Sequence, residues 1–234
     1  MLCVPALAWA ASGGGGIAPD SGASGHRASG GAAQPGNGIV TASGDGMTIA
    51  TRASALLRNG LQVSGQVPSG DAGKLVVIER WGAKTNWSWE PTAQTTAASD
   101  GSFTAVWQTN HIGRFALRAV VQQSGATSAA ANLPTVTVTV YRPSLATLYG
   151  PGFYGNLTAC GTILRSRTIG VANRTLPCGT PVAIYYHGQT LIVPVIDRGP
   201  YANGADWDLT MATGKALGMD GTATVGAVSL PRTG

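Results

Sequence analysis

An all-β chain in two domains, an immunoglobulin-like sandwich followed by a small closed barrel, is what this sequence predicts. Three observations lead there. Charged residues make up only 11% of the 234 residues while Gly numbers 34, a composition poor in helix formers. Thr and Val recur in alternating runs, the period of a strand with one buried face. Turn signals such as Ser99-Asp-Gly101 and Asn110-His-Ile-Gly113 separate the first set of runs at a spacing of roughly ten residues, as in an antiparallel sandwich. A mass of 23.6 kDa leaves room for two small domains, each with its own core.

The elements follow in order. Met1-Leu-Cys-Val-Pro-Ala-Leu-Ala8 is short and apolar, and Ala8-Trp-Ala10 has the small-x-small form of an export cleavage site. Residues 1–10 therefore read as the remnant of a signal peptide. Its charged n-region is missing, so the true start is expected upstream; a lipid anchor on Cys3 would need small residues before it, where this sequence has only Met-Leu. Residues 11–45 are Gly, Ser and Ala with isolated prolines, too poor in large apolar groups to offset chain entropy, and read as a linker. Strand runs follow within 46–142: 61–67, 74–80, 103–107, 115–121 and 135–141.

Arg142-Pro-Ser144 marks the junction, and 144–231 form the second domain, with strands at 146–149, 180–186, 191–196 and 223–230. A single helix is expected at 210–218, with Thr210 as N-cap and Gly218 as the stop. Many strands and one helix in about ninety residues predict a closed barrel.

Charge and cysteine usage narrow the function. A net charge of +5 attracts polyanions, including an anionic cell wall. The 15 basic residues are scattered singly, with no run and no basic helix, which argues against nucleic acid. No apolar run is long enough for a membrane span. Removal of Cys3 would leave Cys160 and Cys178, an even pair suited to a disulfide in an oxidising compartment. Two thiols without a neighbouring His or acid make a poor metal site or nucleophile, so no metal and no cofactor are expected. The expectation is a secreted, monomeric protein.

Chemistry concentrates in Val193-Pro-Val-Ile-Asp-Arg-Gly-Pro-Tyr201 and Asp206-Trp-Asp-Leu-Thr210. Asp197 ends a strand and Asp208 precedes a helix, a pair suited to acid–base work or to sugar binding. The alternatives are structural: Asp197 accepting turn N–H groups or pairing with Arg198, Asp208 meeting the helix dipole. Tyr201 and Trp207 either stack on a sugar or pack in the barrel. In the first domain, Trp81, Trp87 and Trp89 either form an aromatic platform or divide between core and rim, and His111 stands in a turn without a partner.

Five segments in order, Ala146-Thr-Leu-Tyr-Gly-Pro-Gly-Phe-Tyr-Gly155, Thr158-Ala-Cys-Gly161, Arg174-Thr-Leu-Pro-Cys-Gly-Thr180, Val195-Ile-Asp-Arg-Gly-Pro-Tyr201 and Asp208-Leu-Thr210, resemble the six-stranded double-psi β-barrel of the rare lipoprotein A family. Its members are bacterial septal lytic transglycosylases, and expansins share the barrel more distantly. The resemblance covers residues from about 145 to 230 and leaves out the sandwich. It implies cleavage of peptidoglycan glycan strands, with Asp197 as general acid/base, Asp208 as its electrostatic partner, and Tyr149, Thr158 and Tyr201 lining the groove; Arg198 and Trp207, beside the acids, are expected to bind substrate there too. Two positions depart from the family pattern: Thr162 stands where a glutamate is expected and Asn173 where a histidine is expected. Those departures favour the other implied function, expansin-like binding without bond cleavage.

Overall fold

The computed structural model describes residues 34–35, 38–123, 126–127, 132–201 and 204–231. The signal remnant, Cys3 and most of the linker lie outside them. The strands are β1 Gln34–Pro35, β2 Ile39–Gly44, β3 Met47–Arg52, β4 Ser54–Leu56, β5 Gly60–Gln66, β6 Leu75–Trp81, β7 Glu90–Thr96 and β8 Ser102–Gln108. Next come β9 Gly113–Gln123, β10 Ala126–Thr127, β11 Thr135–Tyr149, β12 Val171–Ala172, β13 Pro181–Tyr186, β14 Gln189–Asp197, β15 Trp207–Thr210 and β16 Ala223–Ser229, with helix α1 at Met211–Leu217.

Two sheets make the first domain. One has the order β2-β3-β5-β8 and the other β4-β11-β9-β6-β7. They face each other across a shared core that includes Ile49, Val63, Ile78, Trp107, Phe115 and Leu117, as the alternation of buried and open positions on β3, β6 and β8 requires. The first strand of this domain starts at Ile39, inside the segment read as linker, because Ile39-Val-Thr-Ala42 alternates well enough to pair along all of β3.

Six strands close the second domain in the order β15-β12-β14-β13-β16-β11, with β15 returning to pair with β11. The β11–β15 and β12–β14 pairings are parallel and the others antiparallel. Val171, Val182, Val193, Val195, Leu209 and Val225 fill the interior. The helix has the expected ends: Thr210 accepts a hydrogen bond from the Thr213 N–H, and Gly218 turns left-handed at φ 73°. A pair of hydrogen bonds between Thr213 and the backbone of Gly170 fastens that helix to the barrel.

Between the domains there is no flexible segment. β11 runs without a break from the sandwich, where residues 135–140 pair with β9, into the barrel, where 142–146 pair with β16. Pro143 lies within this strand, opposite Gly226 of β16.

Candidate active site

Strand register explains why two acids eleven positions apart face one groove. Ala172 on β12 is the Cα partner of Asp197 on one side and of Asp208 on the other. Directly opposed residues point to the same face of a sheet, so both carboxylates flank the small methyl of Ala172. Two strand spacings put their Cα atoms roughly 10 Å apart, close enough for the side chains to converge. Thr147 is the partner of Asp208 on β11, and Tyr149, two residues on, shares its face.

The acids differ in their surroundings. Asp197 Oδ1 accepts from the backbone N–H of Ala159 at 2.9 Å and of Arg198 at 2.8 Å. The Ala159 donor lies in the turn that the disulfide holds. Cys160 and Cys178 are bonded with Cα atoms 5.6 Å apart, and the Cys160 N–H also donates to Ile196 O. Asp208 is half-buried. Burial pushes its carboxyl above the usual aspartate range, the Thr147 hydroxyl donating at 2.8 Å opposes this, and the charge of Asp197 adds to the rise. The Tyr149 phenol is pushed well up by burial first and then by both acids, so it keeps its proton. Its hydroxyl is buried without a hydrogen-bond partner among the described residues.

The other residues expected in the groove have different surroundings from one another. Trp207 is buried in the barrel core, because alternation along β15 turns 207 inward when 208 faces the groove. Thr158 is buried as well, and its Oγ1 accepts the Thr162 N–H to close the turn. Arg198 is a strut: its guanidinium donates to the carbonyls of Asn173 and Asp197 and to Cys178 Sγ. Tyr201 is 79% exposed on the loop after Asp197. Asn173 is committed to a turn, its Oδ1 accepting from the N–H groups of Thr175 and Leu176.

Residues not anticipated from the sequence complete the site. Thr147 is one, and its signal was the alternation with Tyr149. Arg174 is another, donating to Pro200 O at 2.7 Å and Ala205 O at 3.0 Å and so strapping the loop that carries Tyr201. Phe153 packs edge-on against Tyr149 with ring centroids 6.4 Å apart, and with Leu157 and Ile163 it makes an exposed apolar rim. Gly150 has no space for a side chain, since a Cβ would lie 2.5 Å from Met211 Cγ. Among the described residues no cluster of His, Cys, Asp and Glu is arranged to hold a metal ion.

Comparison with known proteins bears on the barrel. The family model described as lytic transglycolase, DPBB_1, matches residues 144–229. The second domain is an RlpA-like double-psi β-barrel. The "Probable endolytic peptidoglycan transglycosylase RlpA" of Synechocystis sp. is 36% identical over 96 residues, 40% of this chain and 30% of that protein. Its namesake from Aquifex aeolicus is 40% identical over 81 residues, 34% of this chain and 36% of that protein. The "Endolytic peptidoglycan transglycosylase RlpA" of Campylobacter jejuni is 33% identical over 85 residues, 35% of this chain and 31% of that protein. The chain thus spans about a third of the length of these RlpA relatives. Of solved structures, the Streptomyces papain inhibitor aligns with 38% of this chain and 93% of its own at 25% identity, with a TM-score of 0.31.

Proposed function

We propose that this protein is an exported lytic transglycosylase that cleaves peptidoglycan glycan strands at the Asp197–Asp208 groove. The observation that carries the reading is the pair of carboxylates flanking Ala172, one engaged by backbone donors and the other half-buried and raised. Two carboxyl groups in unlike environments are what divides acid from stabiliser in glycosidic bond cleavage. The roles expected from the sequence are exchanged in this proposal. Asp208, which holds its proton to higher pH, delivers it to the glycosidic oxygen as the C1–O bond breaks. Asp197 remains a carboxylate and stabilises the positive charge that develops at C1. The muramic 6-hydroxyl then attacks C1, its proton passes to Asp208, and a 1,6-anhydro end forms without consuming water. Tyr149 donates to a substrate oxygen between the acids.

Export is supported by the disulfide, which belongs to an oxidising compartment. The RlpA relatives named as peptidoglycan transglycosylases support the substrate. A second reading, glycan binding without cleavage, is favoured by Asn173, whose side chain is committed to its turn and offers no base. Mass spectrometry of products released from sacculi and from peptide-stripped strands separates the two. Anhydro-ended products from wild type, absent with Asp208→Asn, support cleavage. Binding to sacculi without release of any product supports the second reading.

A further inference from the structure

We propose that the cleft between sandwich and barrel is a second saccharide site, one that takes an acidic sugar chain. The proposal rests on the glycan reading of the acid groove and extends it to the other domain. The cleft has a volume of about 690 Å³, within the range of small-ligand sites. One wall is Trp81 and Trp87 of the sandwich, and the other is Ile192, Val228 and Leu230 of the barrel.

The tryptophans are not core residues. Trp81 ends β6 on its outer face and Trp87 is 56% exposed, with their ring centroids 4.6 Å apart. The loop that presents them is tightly held. Asn86 and Trp87 adopt left-handed φ values of 50° and 57°, a conformation that non-glycine residues keep only where the surroundings impose it. Here the surroundings are the Trp81 indole N–H donating to Trp87 O at 2.8 Å, the Trp87 N–H donating to Gly82 O, and the Thr85 hydroxyl bridging Gly82 and Ser88. An exposed aromatic pair fixed in a strained loop is arranged for contact with a flat, partly apolar ligand, and the CH face of a pyranose is such a surface.

Charge selects the class of sugar. Lys84 and Arg114 line the cleft, no acidic residue does, and neither cation forms an ion pair among the described residues. A chain bearing carboxylates, as muramic acid does on its lactyl group, complements both features. A smaller hollow of about 380 Å³ shares Ile112, Val228 and Ser229 with the cleft and reaches Asn173 and Asp206, neighbours of the catalytic strands.

Calorimetric titration of the full chain carrying Asp208→Asn, which prevents turnover, tests this with peptide-free N-acetylglucosamine–N-acetylmuramic acid strands and with neutral chitin oligosaccharides. Adding Trp87→Ala is expected to weaken binding of the acidic strands by roughly tenfold with the melting temperature unchanged, about 1.4 kcal/mol. Lys84→Ala with Arg114→Ala should reduce affinity for the acidic strands several-fold and leave chitin oligosaccharide binding as it was. Unchanged affinity in the Trp87→Ala variant overturns the site, and equal affinity for acidic and neutral chains overturns the acidic class. Product analysis with the Asp208-intact protein keeps the two proposals apart. Absent cleavage with binding lost in Trp87→Ala refutes only the catalytic reading. Intact cleavage with binding indifferent to Trp87→Ala refutes only the cleft.

Discussion

Asp71, Glu79 and Glu90 of the sandwich each lie beside a cation, Lys74 at 2.6 Å, Arg118 at 2.7 Å and Arg80 at 3.5 Å, whereas Asp197, Asp206 and Asp208 of the barrel form no ion pair among the described residues. Arg80 is buried and also lies over the rings of Trp107 and Phe115, so in the first domain charge is part of the packing. In the second, two carboxylates flank one alanine and neither is neutralised. Burial first, and the nearby charge of Asp197 after it, disfavour the ionised form of Asp208, a cost to stability that an apolar or amide side chain would not carry. Three acids of the sandwich are braced by cations, and the two acids that flank Ala172 in the barrel are not.

Substitutions put that contrast to the test. The largest effect is expected from Asp208→Asn, which should lower cleavage of glycan strands by at least ~100-fold, the contribution typical of a positioned proton donor. The same variant should be the more stable protein at neutral pH. The sign follows from the raised carboxyl: its stabilisation is complete below the ordinary aspartate range and is lost as pH rises through the raised value. Wild type and Asp208→Asn should therefore melt closer together at pH 3 than at pH 7. An asparagine variant that melts earlier at pH 7 would contradict the contrast.

Next comes Cys160→Ser with Cys178→Ser. Opening a loop with a sequence separation of 18 residues should cost about 3 kcal/mol in urea unfolding, on the chain-entropy account. Cleavage should fall as well, because the freed turn carries the Ala159 donor to Asp197. Tyr149→Phe should leave stability unchanged or slightly raised, since the deleted hydroxyl is buried without a partner. Its cleavage rate should fall about tenfold, the value of one hydrogen bond to substrate. A clear loss of stability would show that the hydroxyl has a role in packing. The smallest effect belongs to the sandwich: Glu79→Gln should lose no more than ~1 kcal/mol and leave product release as in wild type.

Local chemistry was readable from the sequence and register was not. The helix ends at Thr210 and Gly218 were legible because a cap needs particular residue types at fixed positions, and the cysteine pair because only two remain beyond the N-terminal segment read as an export signal. The motifs around Asp197 and Asp208 named the acids, but their roles depend on Thr147, Ala159 and Ala172, which come from other strands and carry no signal of their own. Trp207 was misplaced for a simpler reason: its neighbour faces the groove, and adjacent strand residues cannot share a face. The three tryptophans near β6 lie outside the core, whose indole is Trp107 instead, and His111, expected to be alone, has its Nδ1 3.0 Å from Asn110 Oδ1. Strands β2, β3, β4 and β7 were passed over because Ser, Thr, Ala and Gln dilute their alternation.

The unbroken course of β11 through both domains has a consequence for products. A hinge would let the tryptophan cleft swing relative to the acids, but one strand hydrogen-bonded on both sides of Pro143 fixes their separation. With both proposed sites at work the molecule would be a ruler: a glycan strand gripped at the cleft would be cut a set number of sugars away. The length distribution of released oligosaccharides should be narrow for wild type and broad for Trp87→Ala.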